Sequence, residues 1–197
     1  MMRYLVIPFL FFMVSCGGTQ DHSGHSAHDA AKVEAPVALP GDPTSQLLGA
    51  YYHLKSTLVE ADSVAVDSAA IALAGLANNT DEKALNVDTI KMKSARAMLD
   101  SIANVAAVIP TSSDLTARRR AFSKLGEHML AMLNQTGYRA STVYVQQCPM
   151  AFNDTETASW LSDASEIVNP YLGKKHPKYS SGMLHCGELL DSIVIKP

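Results

Sequence analysis

Between residues 44 and 137 apolar side chains return every three or four positions, and beyond Gly137 that rhythm stops. A chain patterned this way folds as helices packed on a shared apolar face, closed by something shorter and less regular. In SQLLGAYYHLKSTLVEADSVAV, Leu47, Leu48, Tyr51, Leu54 and Leu58 keep helical spacing, with Thr44 as a candidate cap after a proline. The pattern runs on through DSAAIALAGLANN to Asn78-Asn79, with Val64, Val66 and Gly75 marking room for a kink. A second segment, DEKALNVDTIKMKSARAMLDSIANVAAVI, puts Ile90, Met98, Ile102, Val105 and Ile109 on one face and stops at Pro110. A third opens at TSSD, with Ser113 or Asp114 as cap, and aligns Leu115, Phe122, Leu125, Met129 and Leu133 before Gly137.

After Gly137, STVYVQQCPMAF alternates Val143 and Val145 with polar neighbours and reads as a strand. TASWLSD and SEIVNPYLG read as turn and extended pieces, and MLHCGELLDSIVI as a helical turn followed by a short strand. The expected fold is mainly α: a bundle of three to four helices finished by a small irregular C-terminal unit containing short β-strands. Residues 44–197 are one domain's worth of chain, with no internal repeat.

The first fifteen residues, MMRYLVIPFLFFMVS, carry one cation, Arg3, and an apolar run ending at Cys16-Gly17-Gly18. That is the outline of a secretory signal over residues 1–15, too short to span a bilayer. Val-Ser-Cys-Gly resembles the lipobox of bacterial lipoproteins, in which the cysteine becomes the acylated first residue; Cys16 is the expected lipidation site. An ordinary signal peptide or a short membrane anchor is the alternative. Residues 16–43 then read as the lipidated cysteine and a flexible linker, rich in small residues and holding His22, His25 and His28. The reading places the protein in the cell envelope, on the periplasmic side, held to a lipid bilayer. Gly17-Gly18 offers no acidic retention cue, which favours the outer membrane over the inner. A net charge of -3 argues against nucleic acid as a partner.

With Cys16 acylated, Cys148 and Cys186 remain. In an oxidising compartment two cysteines suggest one disulfide. Their neighbours suggest a second use. Residues two apart on a strand share a face, so Cys148 and Met150 would present two sulfurs together across Pro149; residues three apart on a helical turn do likewise, which pairs Met183 with Cys186. Thiolate and thioether donors are soft and select soft ions, Cu(I) first and Ag(I) by analogy. His176 and His185 are weaker candidate ligands, and His185, next to Cys186, is expected in solvent. Burial of Met and Cys as ordinary core fillers is the third possibility. The histidines of HSGHSAHD could take up Cu(II) or Zn(II) weakly or be plain linker. Met129 and Met132, near His128, fit core positions better than a metal site.

YVQQCPMAF, TASWLS, EIVNPYLG and MLHCGE, in that order, resemble the signature of domain of unknown function 3347, found in extracytoplasmic lipoproteins and attached to the membrane-fusion adaptors of copper and silver efflux systems. The likeness is dense over residues 141 to 190 and looser over the helices, where AYYHLKSTLVEAD resembles the family's opening. It implies a helical bundle ending in a motif-bearing unit, and a heavy-metal role with an efflux system as possible partner. The motif positions fall on Cys148, Pro149, Met150, Trp160, Asn169, Pro170, Tyr171, Met183, Leu184, Cys186 and Gly187. The chain departs from the family by inserting KKHPKYSS before Met183, which relaxes the spacing of the two halves or brings His176 near. It also lacks the coiled hairpin and barrel of an adaptor. No GxSxG, HExxH, phosphate-binding glycine loop or paired-carboxylate signature is present, and Cys148 has no evident base, so the reading is not an enzyme. The sequence thus points to a membrane-anchored binder of Cu(I) or Ag(I) at Cys148, Met150, Met183 and Cys186, for buffering or delivery to efflux. The rival is a structural or partner-binding lipoprotein with a Cys148–Cys186 disulfide and no metal.

Overall fold

The computed structural model describes residues 41–85 and 87–193. The signal segment, Cys16 and the three linker histidines lie outside the described residues. Helix α1 spans Pro43–Glu60. Its cap is Asp42, not Thr44: the carboxylate accepts from the amides of Thr44 at 3.2 Å and Ser45 at 3.0 Å, and Pro43 takes the first helical position, where no amide is needed. The expected long kinked helix is two helices. Ala61 turns left-handed with φ 54°, and Asp62 caps the new helix α2, Ser63–Asn79, through the amides of Val64 and Ala65. So short a connection lays α2 back along α1.

The second predicted segment starts late. Residues 82–84 form one 3-10 turn, and helix α3 spans Met92–Val108, running into a second 3-10 turn over Ile109–Thr111. Its buried face is Ala95, Leu99, Ile102, Ala103 and Ala106, followed by Ile109. Ile90, at the right phase for that face, precedes the helix and is 93 % exposed. Helix α4, Leu115–Thr136, is capped by Asp114, which accepts from the Ala117 amide at 2.8 Å, and ends at Gly137 with φ 62°. Phe122, Leu125, Met129, Met132 and Leu133 are wholly buried, so these two methionines are core. Neighbouring helices pack in sequence order, giving a four-helix bundle.

The closing unit is a three-stranded antiparallel sheet of order β2-β1-β3, with β1 at Val143–Phe152, β2 at Glu156–Ser162 and β3 at Glu188–Ile193. The segment TASWLS is therefore a strand. Asn153 and Asp154, both at positive φ, make the tight turn between β1 and β2, closed by the Thr155 amide on the Phe152 carbonyl at 3.1 Å. Helix α4 packs on β2, and bundle and sheet share one apolar core. Tyr171 joins the layers. Its ring meets Phe122, Phe152 and Trp160, and its hydroxyl donates to the Ser159 carbonyl.

Between β2 and β3 the chain makes an excursion through residues 174–182, pinned internally by a bridge between His176 and Ser180. Gly173, at φ 61°, starts it. A side chain there would sit 2.7 Å from Arg119 Nη2 and 2.8 Å from the Val59 carbonyl. Buried Arg119 holds that corner, donating to the carbonyls of Leu58 at 3.3 Å and Leu172 at 3.4 Å, where its charge complements the C-terminal end of α1. Burial lowers its pKa to about 10, so it stays cationic at neutral pH.

Candidate functional site

Cys148 sits on the central strand, and its partner in β2 is Ala158. Past that point the register slips: Cys148 opposes Ala158 and Phe152 opposes Glu156, so Pro149, Met150 and Ala151 share the space opposite Thr157. Proline has no amide for the ladder, and the bulge accommodates it. The ladder is interrupted across the motif, but burial still alternates from Cys148 to Met150. Cys148 is wholly buried, Pro149 is exposed, and Met150 is half-buried against the core.

The second half of the motif is a turn. The Cys186 amide donates to the Met183 carbonyl at 3.0 Å, and the Leu184 amide to the Ser181 carbonyl at 3.1 Å. Met183 and Cys186 are both half-buried and pack on the core that holds Met150 and Cys148. Asn169, fully buried, fixes this turn to the NPY segment. Its amide donates to the Leu184 carbonyl at 2.8 Å and its Nδ2 to the Cys186 carbonyl at 2.7 Å. Its Oδ1 accepts from the amides of Tyr171 at 2.8 Å and Leu172 at 3.0 Å. Gly187 follows at φ 147°; a Cβ there would lie 2.7 Å from the Gln147 carbonyl and 3.0 Å from Trp160 Cη2. Only glycine lets the chain pass so close to β1.

These contacts bring the two sulfurs to 3.0 Å from each other, with both thiols free. Burial, and then the neighbouring Cys148 sulfur, push the Cys186 thiol up to about 12. Cys186 is thus held as a neutral thiol at neutral pH. The spacing lies between two products. A disulfide needs about 2.05 Å; two thiolates sharing a tetrahedral ion at bonds of about 2.3 Å stand roughly 3.8 Å apart. Either requires a shift of about one ångström, which the half-buried turn at Cys186 can supply more readily than the central strand.

The histidines do other things. His176 Nδ1 accepts from the amides of Lys178 at 3.2 Å and Tyr179 at 3.3 Å, and its ring stacks on Tyr179. Both bonds need that nitrogen unprotonated, and burial together with the Arg119 charge lowers its pKa. His185 is exposed, and its Nδ1 lies 2.7 Å from the Ile167 carbonyl. A carbonyl can only accept, so Nδ1 carries the proton of this bond. His185 lines a cleft of about 400 Å³ shared with Lys55, Asp163 and Lys174, whose lining does not include the sulfurs. Among the described residues, no three His, Cys, Asp or Glu side chains gather as a set able to hold a metal. A metal at Cys148 and Cys186 therefore relies on the two thiols with thioether help, a donor set that fits a soft ion and does not fit zinc.

Trp160 is buried and edge-on to Tyr171, walling the region where Gly187 passes. Asn169 and Gly187, motif positions in the sequence, prove to be what holds Cys186 in place. Gln146 was not legible as a contributor: fully buried, it donates through Nε2 to the carbonyls of Ala164, Ser165 and Glu166 and ties that loop to β1.

Residues 47–141 match the model of a family described as a protein of unknown function, DUF3347. These residues are a DUF3347 domain. The DUF3347 match covers the helices and ends at Ser141, just ahead of β1, whereas the motif resemblance is densest beyond that point. The sulfur pair thus lies C-terminal to the matched residues. No curated protein and no solved structure matches the chain. Among the described residues no helix is long and apolar enough to cross a membrane.

Proposed function

We propose that this chain is an envelope lipoprotein, anchored through Cys16, that holds Cu(I) or Ag(I) with Cys148 and Cys186 and with thioether help from Met150 and Met183. It buffers the ion or passes it to a heavy-metal efflux system. The observation that carries this reading is the approach of two cysteines, 38 positions apart, to 3.0 Å, with Met150 two positions from one and Met183 three from the other, both half-buried on the same core. Binding replaces two S–H protons with one monovalent ion, so the bound site carries a single negative charge and releases two protons.

A second reading is favoured by the same spacing and by the absence of pressure to ionise: the pair is a structural disulfide, and no metal is involved. Anaerobic titration of the reduced full chain with Cu(I) against a competing chelator separates the two. One ion per chain, lost in Cys148→Ser and weakened in the Met150→Leu, Met183→Leu double variant, supports the metal site. No uptake by a chain with two titratable thiols removes it.

A further inference from the structure

The strand that follows Cys186 is weakly embedded. Strand β3 is at the sheet edge; Glu188 to Asp191 are all exposed, with Leu189 48 % and Leu190 50 % accessible, and of its side chains Ile193 packs on the core. Its hold on β1 is a short ladder from Gln147↔Glu188 to Val143↔Ile193, broken by a register shift between Val145 and Gln146. Strand β1, by contrast, buries Val143, Val145, Gln146 and Cys148. The sulfur pair stands at the end of this ladder where β3 begins. A covalent bond there would fasten β3 at the point where the chain comes onto the sheet.

We propose that Cys148 and Cys186 form a redox latch on β3. Oxidised, the pair locks β3 onto β1; reduced, β3 is held by its short ladder alone and frays from β1 more readily. The oxidant is a disulfide-bearing molecule. The half-buried Cys186 thiolate attacks one oxidant sulfur, breaking its S–S bond and releasing one thiolate. The Cys148 thiolate then attacks the Cys186 sulfur, forming the Cys148–Cys186 bond and releasing the second thiolate. The two cysteine protons pass to the two released thiolates, and the oxidant takes up two electrons. The order follows from access, since Cys148 is wholly buried. The latch does not require metal binding.

Amide hydrogen exchange read by mass spectrometry tests this on the full chain, with chelator present throughout, after equilibration with oxidised glutathione or with a phosphine reductant. Oxidation is expected to slow exchange in residues 188–193 and 143–147 at least tenfold and to leave α2 and α3 unchanged. Cys186→Ser should exchange like the reduced chain whichever reagent is used. Equal exchange in both states, or oxidant-induced protection that persists in Cys186→Ser, overturns the latch. Because no metal is present, this outcome is separate from that of the copper titration.

Discussion

The Asn169 side chain donates to the carbonyl of Cys186 at 2.7 Å while its own oxygen accepts from two amides of the following turn. One buried amide thus joins the NPY segment to the reactive turn. Replacing it with alanine strands three buried backbone groups, each costing about 1–3 kcal/mol unpaired before relaxation or water entry. Asn169→Ala is expected to lose about 2–4 kcal/mol in denaturant unfolding. A loss below about 0.5 kcal/mol would mean the turn is held by something else.

The Cys186 thiol, pushed up to about 12, is reactive only through a small thiolate fraction at neutral pH. Its alkylation rate should climb about tenfold per pH unit from 7 to 10 without levelling. An ordinary cysteine flattens near pH 9. In the Cys148→Ala variant iodoacetamide kinetics should report a lower Cys186 pKa, because what Cys148 adds to the shift is removed while burial stays. A plateau below pH 9 in the native chain contradicts a raised Cys186 thiol.

The same shift couples folding to pH. The folded state of the reduced chain keeps the Cys186 proton to a higher pH than the unfolded state does, so this contribution to stability is full below about 9 and is lost as pH rises toward 12. Stability of the reduced chain should decline over that window, and that of Cys186→Ser should decline less. Identical pH profiles would remove the coupling.

Copper uptake, if it displaces both protons, tightens steeply with pH. The apparent Kd is expected to fall about a hundredfold per unit between pH 6 and 8, and only about tenfold if a single thiol is deprotonated. Chelator competition at three pH values gives the slope. A flat response would place the ion on the thioethers alone.

Oxidation closes a loop of 38 positions. The chain-entropy cost it removes from the unfolded state corresponds to about 4 kcal/mol. The oxidised chain should therefore unfold at higher denaturant than the reduced one. Gly187→Ala should reduce this gain, since a Cβ 2.7 Å from the Gln147 carbonyl forces the turn, and Cys186 with it, away from β1.

The bundle is legible because Leu47 to Leu58 and Phe122 to Leu133 repeat at helical spacing, the second run with the Asp114 cap and the Gly137 stop. At Ala61 the sequence marks only room for a kink, through Val64 and Val66, and the signal that makes it a full break is Asp62 as a second cap. Ile90 misled by phase alone: it has the right spacing but sits in a turn opened by Asp88, whose carboxylate accepts from the Lys91 amide. Strand β2 is signalled by Asn153-Asp154, a pair suited to the left-handed turn positions that join it to β1. At the site, the motifs put Cys148 and Cys186 in one group and the structure sets their sulfurs 3.0 Å apart, while the bulge beyond Cys148 is not written in the local sequence. The work of Asn169, Gly187 and Gln146 is tertiary. Each meets groups from distant segments, which no periodicity encodes.

The excursion through residues 174–182 is pinned by its own His176–Ser180 bridge and clipped at its base, where Asn169 meets Leu184 and Cys186 and where the Lys174 amide donates to the Val59 carbonyl at 2.8 Å. Its tip is tied as well: Lys178 Nζ and the Tyr179 hydroxyl both donate to the Asp154 carboxylate in the turn that ends β1, and Tyr179 packs on the core. The excursion is therefore a strut from the Arg119 corner to the hairpin whose strand carries Cys148, and an insertion at Pro177 would load that strut at both ends.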